Sequence, residues 1–182
     1  MRCTSITLVL SGLLGLCGCS AVRTDYDPEQ DFLPYKTYRW LQKEVHPADA
    51  LASDPLTKKR IAKAVDTVLQ EKGFVLTESR ACDFLVFVHG TVSERIQIHE
   101  TGGMLYPYGG FGWHSGMTHV TTYDQGTVFI DIVDGATGEL VWRGWLSRAV
   151  RRYKSPKKAE AAADRMVREI MEAFPPTEQD LR

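Results

Sequence analysis

Gly126-Thr127-Val128-Phe129-Ile130-Asp131-Ile132-Val133 and Glu139-Leu140-Val141-Trp142-Arg143-Gly144-Trp145-Leu146, joined by Asp134-Gly135-Ala136-Thr137-Gly138, decide the fold. Both runs are rich in β-branched and aromatic residues, and a glycine-containing turn between such runs predicts a β-hairpin. Val128, Ile130 and Ile132 share one face; Phe129, Asp131 and Val133 share the other. Asp134-Gly135 is accounted for by turn chemistry. Asp131 is expected either to face solvent or to pair with Arg143 across the hairpin.

Working outward from the hairpin, Phe84 to Val88 is a continuous apolar run, as expected of a central strand buried on both faces. It continues past Gly90 into residues where Val92, Ile96 and Ile98 alternate with polar ones, and Gly90 is expected to form a bulge. Phe74-Val75-Leu76 and His119 to Tyr123 read as short strands. Phe32 to Leu41 reads as the first strand of the domain, with Pro34 confining its start to an edge or entry point. One helix begins at Ser53 or Asp54 with Pro55 in its first turn, carries Ile61, Ala64, Val65, Val68 and Leu69 as an apolar stripe, and stops at Gly73. A second begins at Ser155-Pro156, carries Ala159, Ala163, Met166, Ile170 and Ala173 or Phe174, and ends at Pro175-Pro176. The expected fold is α+β: a mostly antiparallel sheet in strand-helix-strands-helix order, with both helices on one face.

The N-terminal segment is different in kind. After Arg2, an apolar run from Ile6 ends at Leu16-Cys17-Gly18-Cys19. A span needs roughly 20 apolar residues, so the run is too short to cross a bilayer and fits the core of a secretory signal. Its end resembles a bacterial lipobox: Leu16 in the aliphatic position, Gly18 beside the cut, and Cys19 as the acylated first residue of the mature chain. The expected division is a signal peptide at 1–18, a tether at 19–31, one domain at 32–176 and a tail at 177–182. By that resemblance, Ser20 after the cysteine points to the outer membrane, with the domain facing the periplasm.

Composition narrows the function classes. Losing Arg2 with the signal leaves 21 basic residues against 23 acidic ones, a balance of −2. That balance, and the absence of basic runs with aromatic spacing, argue against a nucleic-acid partner. The densest basic stretch is Arg148, Arg151, Arg152, Lys154, Lys157 and Lys158. It reads as a solvated strand end and first helical turn, or as a contact for an anionic partner such as lipid headgroups or cell-wall polymer. Of four cysteines, two leave with the signal and Cys19 carries lipid, so Cys82 stays alone and is expected as a small buried residue.

Several blocks together resemble the bacterial lipoproteins catalogued as domain of unknown function 4136. They are Asp25-Tyr26-Asp27-Pro28, Asp31-Phe32, Tyr35-Lys36-Thr37-Tyr38, Asp83-Phe84-Leu85-Val86, Gly126-Thr127 with Asp131, Trp142-Arg143-Gly144 and Phe174-Pro175-Pro176. The resemblance covers nearly all of the mature chain. It implies an exported, lipid-anchored α+β domain, and it implies no activity and no catalytic residues.

Residues 100–118 hold six glycines among aromatics and read as a long connection between two strands. Tyr106, Tyr108, Phe111 and Trp113 in this loop are candidates for binding an envelope protein, a cell-wall partner, a membrane surface or a glycan. His99, His114 and His119 bracket the loop and are weak candidates for a metal, since their spacings match no compact ligand motif. No cofactor is expected. Ser115 and Ser147 lack a nucleophile-elbow setting, so the chain is expected not to be an enzyme. The expected function is that of an envelope lipoprotein acting as a structural or interaction module. The alternative is a small-ligand or metal carrier using loop 99–119. Composition and motif leave the oligomeric state open.

Overall fold

The computed structural model describes residues 22–41, 49–100 and 118–177, with 97–100 and 118–120 as backbone alone. Six strands and two helices follow in the order β1 (Val22–Tyr26), β2 (Thr37–Trp40), α1 (Pro55–Glu71), β3 (Val75–Leu76), β4 (Phe84–Glu100), β5 (Thr118–Asp134), β6 (Leu140–Ala149) and α2 (Pro156–Met171). They form one sheet in the order β1-β6-β5-β4-β2-β3.

The sheet is mixed, which corrects the expectation of a mostly antiparallel one. β1, β6, β5 and β4 pair antiparallel, whereas β2 is parallel to both β3 and β4. The cause is α1: a chain that leaves β2, crosses the sheet face as a helix and returns must re-enter in the same direction. The order also gains a strand. Residues 22–26, expected within a tether at 19–31, form β1, and Val22↔Leu146 through Tyr26↔Trp142 pair it with β6. Its burial alternates weakly, because it is an edge strand with most side chains in water.

Both helices lie on one face, as expected, and run side by side in the same direction. Lys63 in the middle of α1 pairs with Glu160 in the first turns of α2, and Glu71 at the end of α1 pairs with Arg168 in the last turns of α2. The α1 stripe is buried as read from its spacing. Asp54 caps α1, its carboxylate accepting from the Thr57 N–H at 3.0 Å. In α2 the buried set is Ala163, Val167, Ile170 and Met171.

The core turns on Phe84. Its ring lies 5.2–5.7 Å from those of Phe74, Tyr35, Tyr38 and Phe174, and Trp142 adds a further contact to Phe174 at 5.1 Å. Polar locks hold the same end of the sheet. Asp83 accepts from the Lys36 and Thr37 N–H groups and the Thr37 hydroxyl, and Tyr35 donates to Asp134 at 2.7 Å. Cys82 beside this lock is half-buried and free.

Gly90 is not a bulge. It pairs in register with Val128, and the register shift falls between Ile132 and Val133 instead. The approach is close there: a Cβ would lie 3.0 Å from Leu51 Cγ and 3.2 Å from the Thr127 carbonyl oxygen. The buried Asp49 carboxylate accepts from the Gly90 N–H at 2.9 Å and fastens the lead-in to α1 onto β4.

Phe84→Ala should cost about 3–5 kcal/mol, because it removes the ring that four others pack against. A single cooperative melt moved down by roughly 10 °C or more in differential scanning calorimetry would match that loss.

Candidate functional site

The face of the sheet away from the helices carries the strongest arrangement of functional groups among the described residues. Strand alternation places Phe87 and His89 of β4, Phe129 and Asp131 of β5, and Arg143 and Trp145 of β6 on it. Direct cross-strand pairing sets Phe87 and Arg143 on either side of Asp131, and His89 and Trp145 on either side of Phe129.

Asp131 is 6% exposed, and Arg143 grips it at both oxygens: Nε donates to Oδ1 at 2.6 Å and Nη2 to Oδ2 at 2.7 Å. His89 Nε2 lies 3.3 Å from Oδ2. Burial pushes the Asp131 carboxyl up, but hydrogen bonds from Arg143 and His89 outweigh it and hold the group below the ordinary carboxylate value. The rings form a stacked row. His89 lies 4.8 Å from Phe129 with planes 7° apart, and Phe87 and Trp145 extend the row at 5.4 and 6.3 Å. Arg143 also sits 5.7 Å from the centre of the Phe129 ring.

The carboxylate is already bound by the guanidinium, the imidazole is held between two rings, and no nucleophilic side chain completes a relay among them. The Asp131–Arg143 pair was legible from strand register. His89 was not singled out, although its place two residues after Phe87 gives it the same face. An open cleft of about 340 Å³ lies elsewhere, between β1 and the end of α2, lined by Val22, Thr24, Glu169, Glu172, Ala173, Pro175 and Thr177.

Most of the residues expected from sequence to form the site are not among those the structure describes. Cys19, Tyr106, Tyr108, Phe111, Trp113 and His114 lie outside the described residues. His99 and His119 are direct register partners near the end of a 17-pair β4–β5 hairpin. β4 has nearly the length read from sequence, whereas β5 is one unbroken strand where a short strand at 119–123 and a separate run from Gly126 were expected. The outer part of the hairpin forms a two-stranded arm beyond the reach of β6, where Arg95 donates to Gln125 at 2.7 Å. No helix among the described residues is long and apolar enough to cross a membrane.

Residues 22–176 match the family described as "Domain of unknown function (DUF4136)", and the chain belongs to that family. No curated protein matches it. Among solved structures, it is similar to a PDZ domain protein from Parabacteroides distasonis at 12% identity and a TM-score of 0.52. The match takes in 87% of this chain and 36% of that one, so this chain spans about a third of that protein's length. PelC from Paraburkholderia phytofirmans, solved as a dodecamer, is similar at 11% identity and a TM-score of 0.39, covering 82% of this chain and 93% of that one. A minor lipoprotein from Acinetobacter baumannii gives 14% identity and a TM-score of 0.38, covering 77% of this chain and 92% of that one. At 12% identity the likeness to the first of these concerns the fold alone.

Because the Asp131 carboxyl titrates lower when folded than when unfolded, its contribution is present at neutral pH and is lost as pH falls through the folded value. Thermal stability should drop as pH goes below about 4. Asp131→Asn should lose roughly 1–2 kcal/mol at pH 7 and show a shallower acid limb than the parent, read from melting curves across pH.

Proposed function

We propose that this chain is a lipid-anchored lipoprotein of the bacterial cell envelope, acting as an interaction module without catalytic activity. The carrying observation is the junction at the N-terminus: the lipobox-like Leu16-Cys17-Gly18-Cys19 ends three residues before β1 begins at Val22. An acylated Cys19 therefore enters the folded sheet almost directly. Two or three acyl chains on that residue would make the attachment close to permanent. Ser20 after the cysteine favours the outer membrane, with the domain in the periplasm. The aromatic and charged sheet face, and the loop residues Tyr106, Tyr108, Phe111 and Trp113, are the surfaces such a module would offer to an envelope protein or cell-wall partner.

Mass spectrometry of the N-terminal peptide from membranes should find Cys19 at the mature terminus with its acyl mass. Cys19→Ser should lose that mass and remain unprocessed. A wild-type chain recovered free of membranes and without acyl mass would contradict the proposal.

One observation favours a second reading, a metal carrier. The backbone register sets His99 directly opposite His119 in the hairpin. Zinc at a hundredfold over its Kd should then raise stability by about 2.7 kcal/mol, and the double replacement by Ala should remove the rise. An unchanged melting temperature on adding zinc counts against this reading.

A further inference from the structure

The register puts the entry of the chain, the root of the arm and the starts of both helices at one end of the molecule. Val22 is opposite Leu146, Leu146 opposite Val128, and Val128 opposite Gly90. Beyond that row β4 and β5 continue for ten pairs, from Thr91↔Thr127 to Glu100↔Thr118, about 33 Å at the usual strand rise. The α1 lead-in is fastened to Gly90 through Asp49 and the Ala50 N–H, and α2 runs in the same direction as α1.

This end is basic. Residues 148–158 contain six lysines and arginines and no acid. Arg151, Arg152, Lys154, Lys157 and Lys158 are exposed, and among the described residues only Arg148 of the six is ion-paired, with Glu169. Lys59 and Arg60 in the first turns of α1 add to the charge, Lys58 pairs with Asp49, and Asp54, Glu94 and Asp124 are the exposed acids nearby, too few to reverse the sign. The far end of the sheet is acidic instead, with Asp27, Glu29, Asp31, Asp83, Asp134 and Glu139 around its turns. A near-zero net charge thus hides a polar separation along the molecule.

The same end is also apolar where it meets water. Six of the ten large hydrophobic side chains exposed among the described residues are here: Leu56, Val92, Ile96, Tyr123, Val150 and Tyr153. Aliphatic and aromatic side chains set among exposed lysines and arginines make up an interfacial surface.

We propose that this end of the domain rests on the anionic phospholipid headgroups of the bilayer that holds Cys19, with the 151–158 cations on the phosphates and the arm laid along the interfacial layer. The proposal depends on the acylation proposed above. Three residues from Cys19 to Val22 reach at most about 11 Å, so the anchored end cannot stand away from the surface. The two-stranded part of the arm, seven pairs from Glu94↔Asp124 to Glu100↔Thr118, is about 23 Å long, twice that reach. A two-stranded ribbon has unpaired edge groups that hydrocarbon cannot satisfy, so it runs along the membrane and does not cross it.

The test uses the full chain purified with its lipid and carrying Cys82→Ser. Single reporter cysteines Tyr153→Cys, Ile96→Cys or Glu139→Cys are labelled as energy donors to a headgroup-labelled lipid. In vesicles of phosphatidylethanolamine with phosphatidylglycerol, transfer should be strong from positions 153 and 96 and weak from 139. High salt, or Ala at Arg151, Arg152, Lys157 and Lys158, should weaken it at 153. For the Cys19→Ser chain with residues 1–18 also removed, which carries neither signal nor lipid, affinity for these vesicles should fall about fivefold per basic residue removed. Equal transfer from all three positions, or unchanged transfer from 153 on vesicles of phosphatidylcholine alone, overturns the proposal while the acyl mass leaves the anchor standing. Loss of that mass from the parent chain overturns the anchor, and this orientation with it.

Discussion

Five antiparallel residue pairs, Val22↔Leu146 to Tyr26↔Trp142, seat the N-terminal strand on the sheet, and the proposed relation between domain and membrane depends on them. Without this pairing the segment after Cys19 would be a chain of a dozen residues, and the domain could sample any orientation within its reach. With it, three residues remain. An edge strand of five residues made mostly of exposed polar side chains gains little from burial. Its hold comes from the ladder itself and from its ends, since Val22 and Tyr26 both pack against the core. Asp27 extends the ladder by donating its N–H to the Val141 carbonyl at 3.0 Å.

The two faces of the sheet divide the work. The helix-covered face is dry and aromatic around Phe84, and it fixes the helices closely enough that Gly144 has no room for a Cβ: one would lie 2.4 Å from the Trp142 ring and 2.7 Å from Ile170. The opposite face is half-buried by its own side chains. There Arg143, itself partly exposed, neutralises the buried Asp131 beside the row of stacked rings. The first face makes the domain stable. The second is rigid and chemically varied, which is what a recognition surface requires.

The parts of the fold that were legible in sequence are those whose signal is local. The α1 stripe, its Asp54 cap, the hairpin around Asp134-Gly135 and the Asp131–Arg143 pairing all follow from periodicity or from register counted off a turn. β1 was not legible, because Val-Arg-Thr-Asp-Tyr has no buried alternation and pairs with a strand some 120 residues away. The parallel β2–β4 pairing was hidden for a related reason: direction is set by the crossover through α1, not by either strand's composition. Gly90 read as a bulge because a glycine inside a strand signals either a bulge or a close approach, and only the position of Leu51 decides between them. The proposed anchor at Cys19 rests on its motif alone. His89 was obscured by the apolar run beside it, and the charge separation by a net balance near zero.

The distance between the bilayer and the folded domain tests the central claim most directly. Neutron reflectometry of the acylated full chain on a supported bilayer measures it without labels. If β1 is paired in the anchored protein, protein density should begin within about 11 Å of the headgroups, the reach of three residues. A hydrated gap of about 30 Å or more, which only an unpaired N-terminal segment could span, would contradict it.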